Sequence, residues 1–323
     1  MSKKNVVYLF PGQGAQYSGM GMDFLVSNAV KSLFDTASNI FGKDVKELLQ
    51  SDADTLKRTD ISQPMITLAN LAAAVYLGEQ GYSPCVCAGF SLGEYAALVS
   101  AGVIDAADCL RLVKARGEAM QKSADRLREQ SGGDPSAAPG MAAIIGLVPD
   151  KVEELIAQWS AAGLKDLYAA NINSLKQVVV SGTAAALNEA ENRFKEAGAK
   201  RVVRLQVAGP FHSPLIADAA EAFRPALDAV TFRDPSTMIY SNVTGKKITS
   251  GEDAKKLALQ QITSPVRWEE EQFNVAGAAA LNCTGVCLEV GPGKVLQGLW
   301  KDSESSLPCF AAGTIEDINN IKL

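Results

Sequence analysis

The chain has 323 residues, of which 47% are hydrophobic and 21% charged, with a formal net charge of −5 at pH 7. This composition predicts a folded globular protein with a sizeable core and excludes extended disorder. The acidic balance argues against a nucleic-acid-binding protein. The longest apolar helical stretch, residues 66–77, is shorter than the roughly 20 residues that span a bilayer, so no membrane segment is predicted.

Six cysteines are scattered along the chain, most of them inside apolar runs, and they include no Cys-x-x-Cys pair. With a single histidine in the chain, they lack the usual spacing of a zinc site. We expect buried, reduced thiols and a cytoplasmic protein, because disulfides are rare in reducing compartments. The cysteines are Cys85, Cys87, Cys109, Cys283, Cys287 and Cys309.

The first predicted strand covers residues 5–10 and runs into a glycine turn at residues 11–16, where the backbone can approach a ligand closely. A dinucleotide-binding Gly-x-Gly-x-x-Gly motif fails here, because Tyr17 stands where the last glycine is needed. Residues 60–64 (Asp-Ile-Ser-Gln-Pro), which include a capping candidate and a proline near the first turn, then predict an apolar helix from residue 65 to about residue 77.

Residues 85–95 (Cys-Val-Cys-Ala-Gly-Phe-Ser-Leu-Gly-Glu-Tyr) predict a buried strand, a tight turn and a helix. The turn contains Gly-x-Ser-x-Gly with Ser91 at its centre, an arrangement that holds a nucleophilic serine above a sheet edge. The motif is short, and Ser91 as a simple helix N-cap is an open alternative. A second helix is predicted from Asp105 through Met120.

A composition break at residues 129–139, rich in glycine, serine and proline, predicts a flexible loop. The segments after it alternate in the order βαββαβ, which is typical of a ferredoxin-like unit. We predict that residues 140–206 form this subdomain, inserted into a large α/β domain made of residues 1–139 and 207–323. Its strands are predicted at residues 141–147, 167–172, 177–181 and 201–207, and its helices at 150–162 and 184–198.

Two segments of the returning chain carry further signals. Ser213 and Pro214 predict the start of a helix. Residues 286–290 predict another strand, which ends in a glycine turn without the spacing of a phosphate-binding loop.

His212 is the only histidine in the chain, and it decides how Ser91 is interpreted. A serine nucleophile needs a base that works near neutral pH, and histidine has a suitable pKa of about 6.5. If the base is a histidine, it must be His212. The alternative is a structural histidine in a turn beside phenylalanine and proline.

Two further positions favour the catalytic interpretation. The N–H of Gln13, on the turn after the first strand, could complement the N–H of Leu92 in an oxyanion hole, although the turn glycines have a purely structural explanation as well. Arg116 lies on the second helix after Ser91 and could clamp a substrate carboxylate. An arginine on an amphipathic helix is more often a solvated charge.

Taken together, these residues resemble the malonyl-CoA:acyl carrier protein transacylase family, and the resemblance spans nearly the whole chain. The matching segments are Phe10-Pro11-Gly12-Gln13-Gly14, Gly89-x-Ser91-Leu92-Gly93-Glu94-Tyr95, Arg116-Gly117, Gly209-Pro210-Phe211-His212-Ser213-Pro214, Gln261 four residues before Pro265, and Glu289-Val290-Gly291-Pro292-Gly293-Lys294-Val295-Leu296.

The resemblance implies an α/β-hydrolase-like core with a parallel sheet and an inserted ferredoxin-like subdomain. It implies that Ser91, with His212 as base, carries a malonyl group from malonyl-CoA to the phosphopantetheine thiol of acyl carrier protein, with no metal and no cofactor besides these substrates. By the same resemblance, Arg116 holds the malonyl carboxylate and the backbone of Gln261 orients the histidine. Phe211 then crowds substituents on the substrate's alpha carbon.

The chain departs from the family pattern in two places. Phe90 stands where most relatives have a histidine before the serine, and the loop at 129–139 is about ten residues longer than usual. Two rival functions are kept open: a serine hydrolase or thioesterase that uses the same Ser91 and His212, and a non-catalytic carrier-protein docking module that retains the fold. We expect a monomer that binds neither nucleic acid nor membranes. The carrier docking surface is left open: an acidic carrier would prefer a basic patch, but scattered basic residues such as Lys176, Lys200 and Arg201 are more often plain solvated residues.

Overall fold

The computed structural model describes residues 4–134, 136–283, 285–303 and 305–322. The strands are β1 Lys4–Phe10, β2 Tyr82–Gly89, β3 Gly140–Ile145, β4 Leu167–Ser174, β5 Gln177–Gly182, β6 Arg201–Arg204, β7 Met238–Ile239, β8 Cys287–Glu289 and β9 Cys309–Ala311. The helices are α1 Asn28–Phe41, α2 Val45–Leu49, α3 Ala53–Lys57, α4 Thr59–Glu79, α5 Gly93–Ser100, α6 Ala106–Gln130, α7 Pro149–Ala161, α8 Ala184–Glu196, α9 Ala217–Asp228, α10 Gly251–Gln260, α11 Trp268–Asn282, α12 Val295–Asp302 and α13 Ile315–Asn319.

A five-stranded parallel sheet in the order β7-β2-β1-β8-β9 organises the larger part of the chain. Its central strands are continuous apolar runs because helices cover both faces, and Val6 through Phe10 in β1 are all buried. The carboxyl ends of β1 and β2 lie side by side, with Phe10 paired to Gly89. The two turns that carry the candidate catalytic residues therefore leave the sheet at one edge.

A second sheet of four antiparallel strands, in the order β4-β5-β3-β6, is built by the chain between α6 and α9. Its apolar face packs against α7 and α8 in a separate core that includes Ile144, Val178 and Phe194. The mixed α/β class predicted from the sequence is confirmed. The element order in this region is βαββαβ, and β6 ends at Arg204, three residues earlier than the pattern indicated.

Helix boundaries differ from the sequence interpretation at α4, which begins at Thr59 rather than at residue 65. Pro64 lies inside the helix, because a proline near the amino end removes only one ladder hydrogen bond. At 21 residues and a mean hydropathy of 1.2 in its most apolar window, α4 is long and apolar enough to cross a membrane, contrary to the sequence estimate. However, 72% of that window is buried inside the protein, as in a core helix.

The predicted loop at 129–139 begins later than expected, because α6 continues through Gln130. Turns follow at residues 131–133 and 136–138, and Pro135 lies outside the described residues. The helix predicted at Ser213 also begins later: Pro214–Ile216 form a 3-10 turn, and α9 starts at Ala217.

The expectation of six reduced thiols is wrong, because Cys85 and Cys283 form a disulfide. Cys85 lies in β2 and Cys283 directly follows α11, so the bond ties the strand that leads to Ser91 to a helix packed against it. The two cysteines are 198 positions apart in sequence, and no local pattern pairs them. Cys87, Cys109, Cys287 and Cys309 are free.

Candidate active site

Ser91 occupies a sharp turn between the end of β2 and the start of α5. Its φ of 49° lies in the left-handed region, which is costly for a residue with a side chain. The flanking Gly89 and Gly93 are required by close packing: a Cβ at Gly89 would strike the backbone of Gly93, and one at Gly93 would strike the carbonyl of Phe10. The turn therefore projects the Ser91 hydroxyl above the carboxyl edge of the sheet.

The structure brings His212 to Ser91 from 121 positions away, with 2.8 Å between its Nε2 and the serine Oγ. On the other side of the ring, Nδ1 lies 2.9 Å from the carbonyl oxygen of Gln261. Because a carbonyl can only accept, Nδ1 donates the proton and Nε2 is left free to accept the serine proton. The geometry is that of a general base whose orientation is set by a main-chain carbonyl instead of an acidic side chain.

Burial, together with the positive charge of Arg116, lowers the pKa of His212 to about 4. Hydrogen bonds to the backbone of Gln261 and Ser264 oppose this shift only in part. His212 is therefore neutral at pH 7, as a base that accepts a proton from serine must be.

Arg116, on α6, is 1% exposed, so it is not the solvated charge that sequence statistics favour. Its Nη1 donates to Gln63 Oε1 at 2.8 Å, and its Nη2 donates to Gln261 Oε1 at 3.0 Å. The same Nη2 lies 3.4 Å from Ser91 Oγ. The guanidinium thus sits at the nucleophile, held by two neutral amides.

The charge of Arg116 has no anionic partner at hydrogen-bonding range: none of the ion pairs among the described residues includes it. Its buried Nε has no hydrogen-bond partner in the described part of the chain. Burial lowers its pKa, but a guanidinium stays protonated at neutral pH. A buried cation with an unused donor favours an anionic ligand beside Ser91.

The two predicted oxyanion donors lie on adjacent turns. The Phe90 N–H donates to the Phe10 carbonyl at 2.9 Å, which holds the turn after β1 against the Ser91 turn. Gln13 lines the same cavity as Ser91, and Leu92 is the N-cap residue of α5.

A cavity of about 230 Å³ leads to Ser91 and runs between the two sheets. Apolar side chains, among them Phe211, line it together with four amide side chains from the second sheet and the segment that follows it. Phe90 contributes to the wall and packs edge-on against Trp268, with 5.5 Å between the ring centroids. The amide side chains belong to Asn171, Asn173, Gln177 and Gln206.

Sequence reasoning missed three amide residues that build the site: Gln63, Asn242 and the side chain of Gln261. Gln261 Nε2 donates to the Ser91 carbonyl at 3.1 Å, in addition to the contacts above. For Gln63 a signal existed, because Thr59, Gln63, Thr67 and Asn70 recur at helical spacing within the largely apolar α4, and all four are buried. Asn242 lies in a loop segment without a motif.

Comparison with known proteins adds to this geometry. The model of the acyl transferase domain family matches residues 7–316. The malonyl CoA-acyl carrier protein transacylase of Bacillus subtilis is 35% identical over 320 residues, covering 98% of this chain and 96% of the relative.

Two solved structures share the fold over nearly the whole chain. The acyl carrier protein S-malonyltransferase of Vibrio cholerae has a TM-score of 0.87 and 34% identity, covering 99% of this chain and all of that one (100%). A type II polyketide malonyl-transacylase, solved in complex with its holo acyl-carrier protein, has a TM-score of 0.85 and 33% identity, covering 98% of both chains.

Proposed function

Because the chain belongs to the acyl transferase domain family, we propose that it transfers a malonyl group from malonyl-CoA to the phosphopantetheine thiol of acyl carrier protein. The observation that carries this proposal is the buried Arg116 guanidinium 3.4 Å from Ser91 Oγ, because it selects an acyl group with a free carboxylate. The names of the relatives support the same substrates.

In the first half-reaction, Ser91 Oγ attacks the thioester carbonyl of malonyl-CoA while its proton passes to His212 Nε2. The N–H groups of Gln13 and Leu92 stabilise the oxyanion of the tetrahedral intermediate, and removing one such donor commonly costs about 3 kcal/mol of barrier. The carbon–sulfur bond then breaks, and CoA leaves as a thiol with the proton from His212. A malonyl ester of Ser91 remains.

In the second half-reaction, the phosphopantetheine thiol of the carrier protein gives its proton to His212 and attacks the ester carbonyl. The carbon–oxygen bond breaks, Ser91 takes the proton back, and malonyl-carrier protein leaves. Arg116 pairs with the malonyl carboxylate in both halves. Phe211, which lines the cavity, crowds larger substituents on the alpha carbon.

The cavity suits the pantetheine arm that CoA and the carrier protein share. Its apolar wall, which includes Phe90 and Val179, accommodates methylene groups, and Asn173 and Gln177 offer amide partners to the amide bonds of the arm. Asn173 Nδ2 donates to Gln177 Oε1 at 2.8 Å, whereas Asn173 Oδ1 is buried without a hydrogen-bond partner among the described residues. The pair therefore keeps one unused acceptor next to the cavity.

The carrier protein is proposed to approach over the end of the second sheet. Three exposed basic residues lie close together there, namely Lys176, Lys200 and Arg201. The end of β3 connects them: the Lys200 N–H donates to the Ile145 carbonyl, and Arg201 pairs with Ile145 in the sheet. The Gly146 N–H donates to the Lys176 carbonyl. An acidic carrier would match this charge. Lys200→Glu should raise KM for the carrier and leave acylation by malonyl-CoA unchanged, whereas Lys46→Glu on α2 should change neither.

Domain division, location and oligomeric state complete the proposal. We propose a large domain of residues 1–139 and 207–323 with residues 140–206 inserted; the separate core of the second sheet supports this division.

Four free cysteines support a cytoplasmic location, whereas the Cys85–Cys283 disulfide argues against it. We expect a monomer, which light scattering after gel filtration tests.

The decisive experiment runs malonyl-, methylmalonyl- and acetyl-CoA side by side with holo acyl carrier protein. Fast malonyl transfer, a malonyl adduct on Ser91 in the intact mass, and slow transfer of the other two acyl groups are expected. Fast hydrolysis to free malonate without transfer would instead identify a thioesterase. Absence of any adduct would identify a docking module.

A further inference from the structure

Ser91 is held in an unfavourable backbone conformation, and its immediate surroundings must supply the restraint. Two backbone groups of the turn have a side chain as their hydrogen-bond partner. They are the Gly89 carbonyl, before the nucleophile, and the N–H of Ser91 itself. Both are bonded to one side chain, that of Asn242, which lies in the loop after β7.

Asn242 is fully buried, and its carboxamide spans the turn from below. Its Oδ1 accepts the Ser91 N–H at 2.6 Å, and its Nδ2 donates to the Gly89 carbonyl at 2.7 Å. Such a bridge fixes the two peptide planes on either side of Phe90. Gln261 Nε2, which contacts Asn242 Oδ1, donates to the Ser91 carbonyl at 3.1 Å. Asn242 and Gln261 together therefore restrain the peptide planes on either side of Ser91, and with them its φ and the direction of the Leu92 N–H.

Two buried glutamates hold Asn242 in place, one through its side-chain amide and one through its backbone. Glu271 on α11 accepts the second Nδ2 hydrogen at 2.7 Å, and Glu94 on α5 accepts the Asn242 backbone N–H at 2.7 Å. Gln261 adds a weaker contact of 3.4 Å to Oδ1. Since the Gly89 carbonyl can only accept and the Ser91 N–H can only donate, the amide cannot flip without placing oxygen against oxygen.

We propose that Asn242, oriented by Glu271 and Glu94, is a positioning residue that locks the Ser91 turn in its reactive geometry. The inference rests on the proposed function, because it gives Asn242 a role through the nucleophile. It predicts an effect on the chemical step and not on binding, since Asn242 is buried beneath the turn and does not line the cavity.

The test uses Asn242→Asp, which has nearly the same shape and keeps an acceptor for the Ser91 N–H. It replaces the Nδ2 donor by an oxygen that faces the Gly89 carbonyl and Glu271. A displacement of the nucleophile by about 1 Å commonly costs on the order of 100-fold in rate. We expect single-turnover malonylation of Ser91, followed by intact mass, to fall by about that factor while KM for malonyl-CoA stays within about twofold.

Rescue separates positioning from plain destabilisation. In the double variant Asn242→Asp/Glu271→Gln, the amide introduced at position 271 can donate to the carboxylate introduced at 242. Acylation should recover at least about tenfold relative to Asn242→Asp. Asn274→Ala is the matched control, because Asn274 Nδ2 donates to the Gly245 carbonyl at 2.9 Å and the residue lies on the same helix as Glu271. Its acylation rate should not change.

Each variant is assayed at a temperature at which circular dichroism shows it folded, and Asn242→Ala is added if it meets this condition. Acylation of Asn242→Asp within about twofold of the parent chain overturns the inference, as does a failure of Glu271→Gln to restore a lost rate. Ser91→Ala distinguishes a failure of the proposed function from a failure of the role proposed for Asn242. If it still transfers malonyl groups, the proposed nucleophile is wrong; if it is inactive while Asn242→Asp is normal, only the role of Asn242 is wrong.

Discussion

Replacement of Arg116 by alanine should remove most of the preference for malonyl-CoA over acetyl-CoA. Arg116 is 1% exposed, so a malonyl carboxylate beside it is removed from water and depends on the guanidinium for compensation. Removing one partner of a buried ion pair costs about 3–5 kcal/mol. At about 1.4 kcal/mol per factor of ten, kcat/KM for malonyl-CoA should fall on the order of a hundredfold to a few thousandfold.

Part of the loss will be common to every acyl group. Arg116 Nη2 also contacts Gln261 Oε1 and Ser91 Oγ, so the variant disturbs the residue that orients the base and the nucleophile itself. Acetyl-CoA has no carboxylate and reports this common loss alone. The informative quantity is therefore the ratio of kcat/KM for malonyl-CoA to kcat/KM for acetyl-CoA.

The assay measures transfer of radiolabelled malonyl and acetyl groups to holo acyl carrier protein. Arg116→Lys keeps the charge without the bidentate fork and should give an intermediate ratio. Arg126→Ala is the control, because Arg126 lies on the same helix but is only partly buried and is paired with Asp218. A ratio in Arg116→Ala within about twofold of the parent would refute the proposed carboxylate clamp.

Four further predictions follow from named contacts. His212→Ala should abolish malonylation of Ser91, and an unchanged rate of adduct formation in the intact mass would mean that another base operates. Since the Arg116 charge helps to lower the pKa of His212 to about 4, and the base works only when neutral, Arg116→Ala should move the acid limb of acetyl transfer to higher pH; an unmoved limb would contradict the coupling. Burial raises the pKa of Glu94 from 4.5 to about 7, so its contribution to stability is present below pH 4.5 and lost as pH rises towards 7. Glu94→Gln should therefore lessen the fall in the free energy of unfolding across this range by up to about 3 kcal/mol, as denaturant titrations at pH 4.5 and 8 would show. Cys283→Ala should lower the free energy of unfolding by about 2–5 kcal/mol, because the disulfide links residues 198 positions apart; alkylation of the unfolded, unreduced parent chain should label four cysteines, and labelling of all six would disprove the disulfide.

Local chemistry made much of the framework predictable. A continuous apolar run before Gly-x-Ser-x-Gly specifies the strand and turn of Ser91, since few other structures suit that pattern. The single histidine left one candidate for the base, and the structure places it 2.8 Å from the serine. The βαββαβ order could be predicted because each strand and helix there shows the hydrophobic pattern typical of its type.

Long-range polar contacts were not predictable in the same way. Gln63 and Asn242 act at the site only because tertiary packing brings an apolar helix and a short loop against the nucleophile turn. The buried state of Arg116 was likewise hidden, because an amphipathic helix shows which residues are charged but not which charge faces inward. The disulfide depends on the approach of two segments that no sequence pattern relates.

The several hydrogen bonds of Gln261 limit how the substrate preference of this protein can be changed by mutation. Besides its weaker contact to Asn242, this residue serves three partners: its main-chain carbonyl orients His212, its Oε1 holds Arg116, and its Nε2 binds the carbonyl of Ser91. Selectivity and reactivity therefore cannot be tuned independently by mutating the arginine alone. A redesign for a neutral acyl group would need to supply a new donor to Gln261 Oε1 at the same time. His212 would then keep its orientation while the charge of Arg116 is removed.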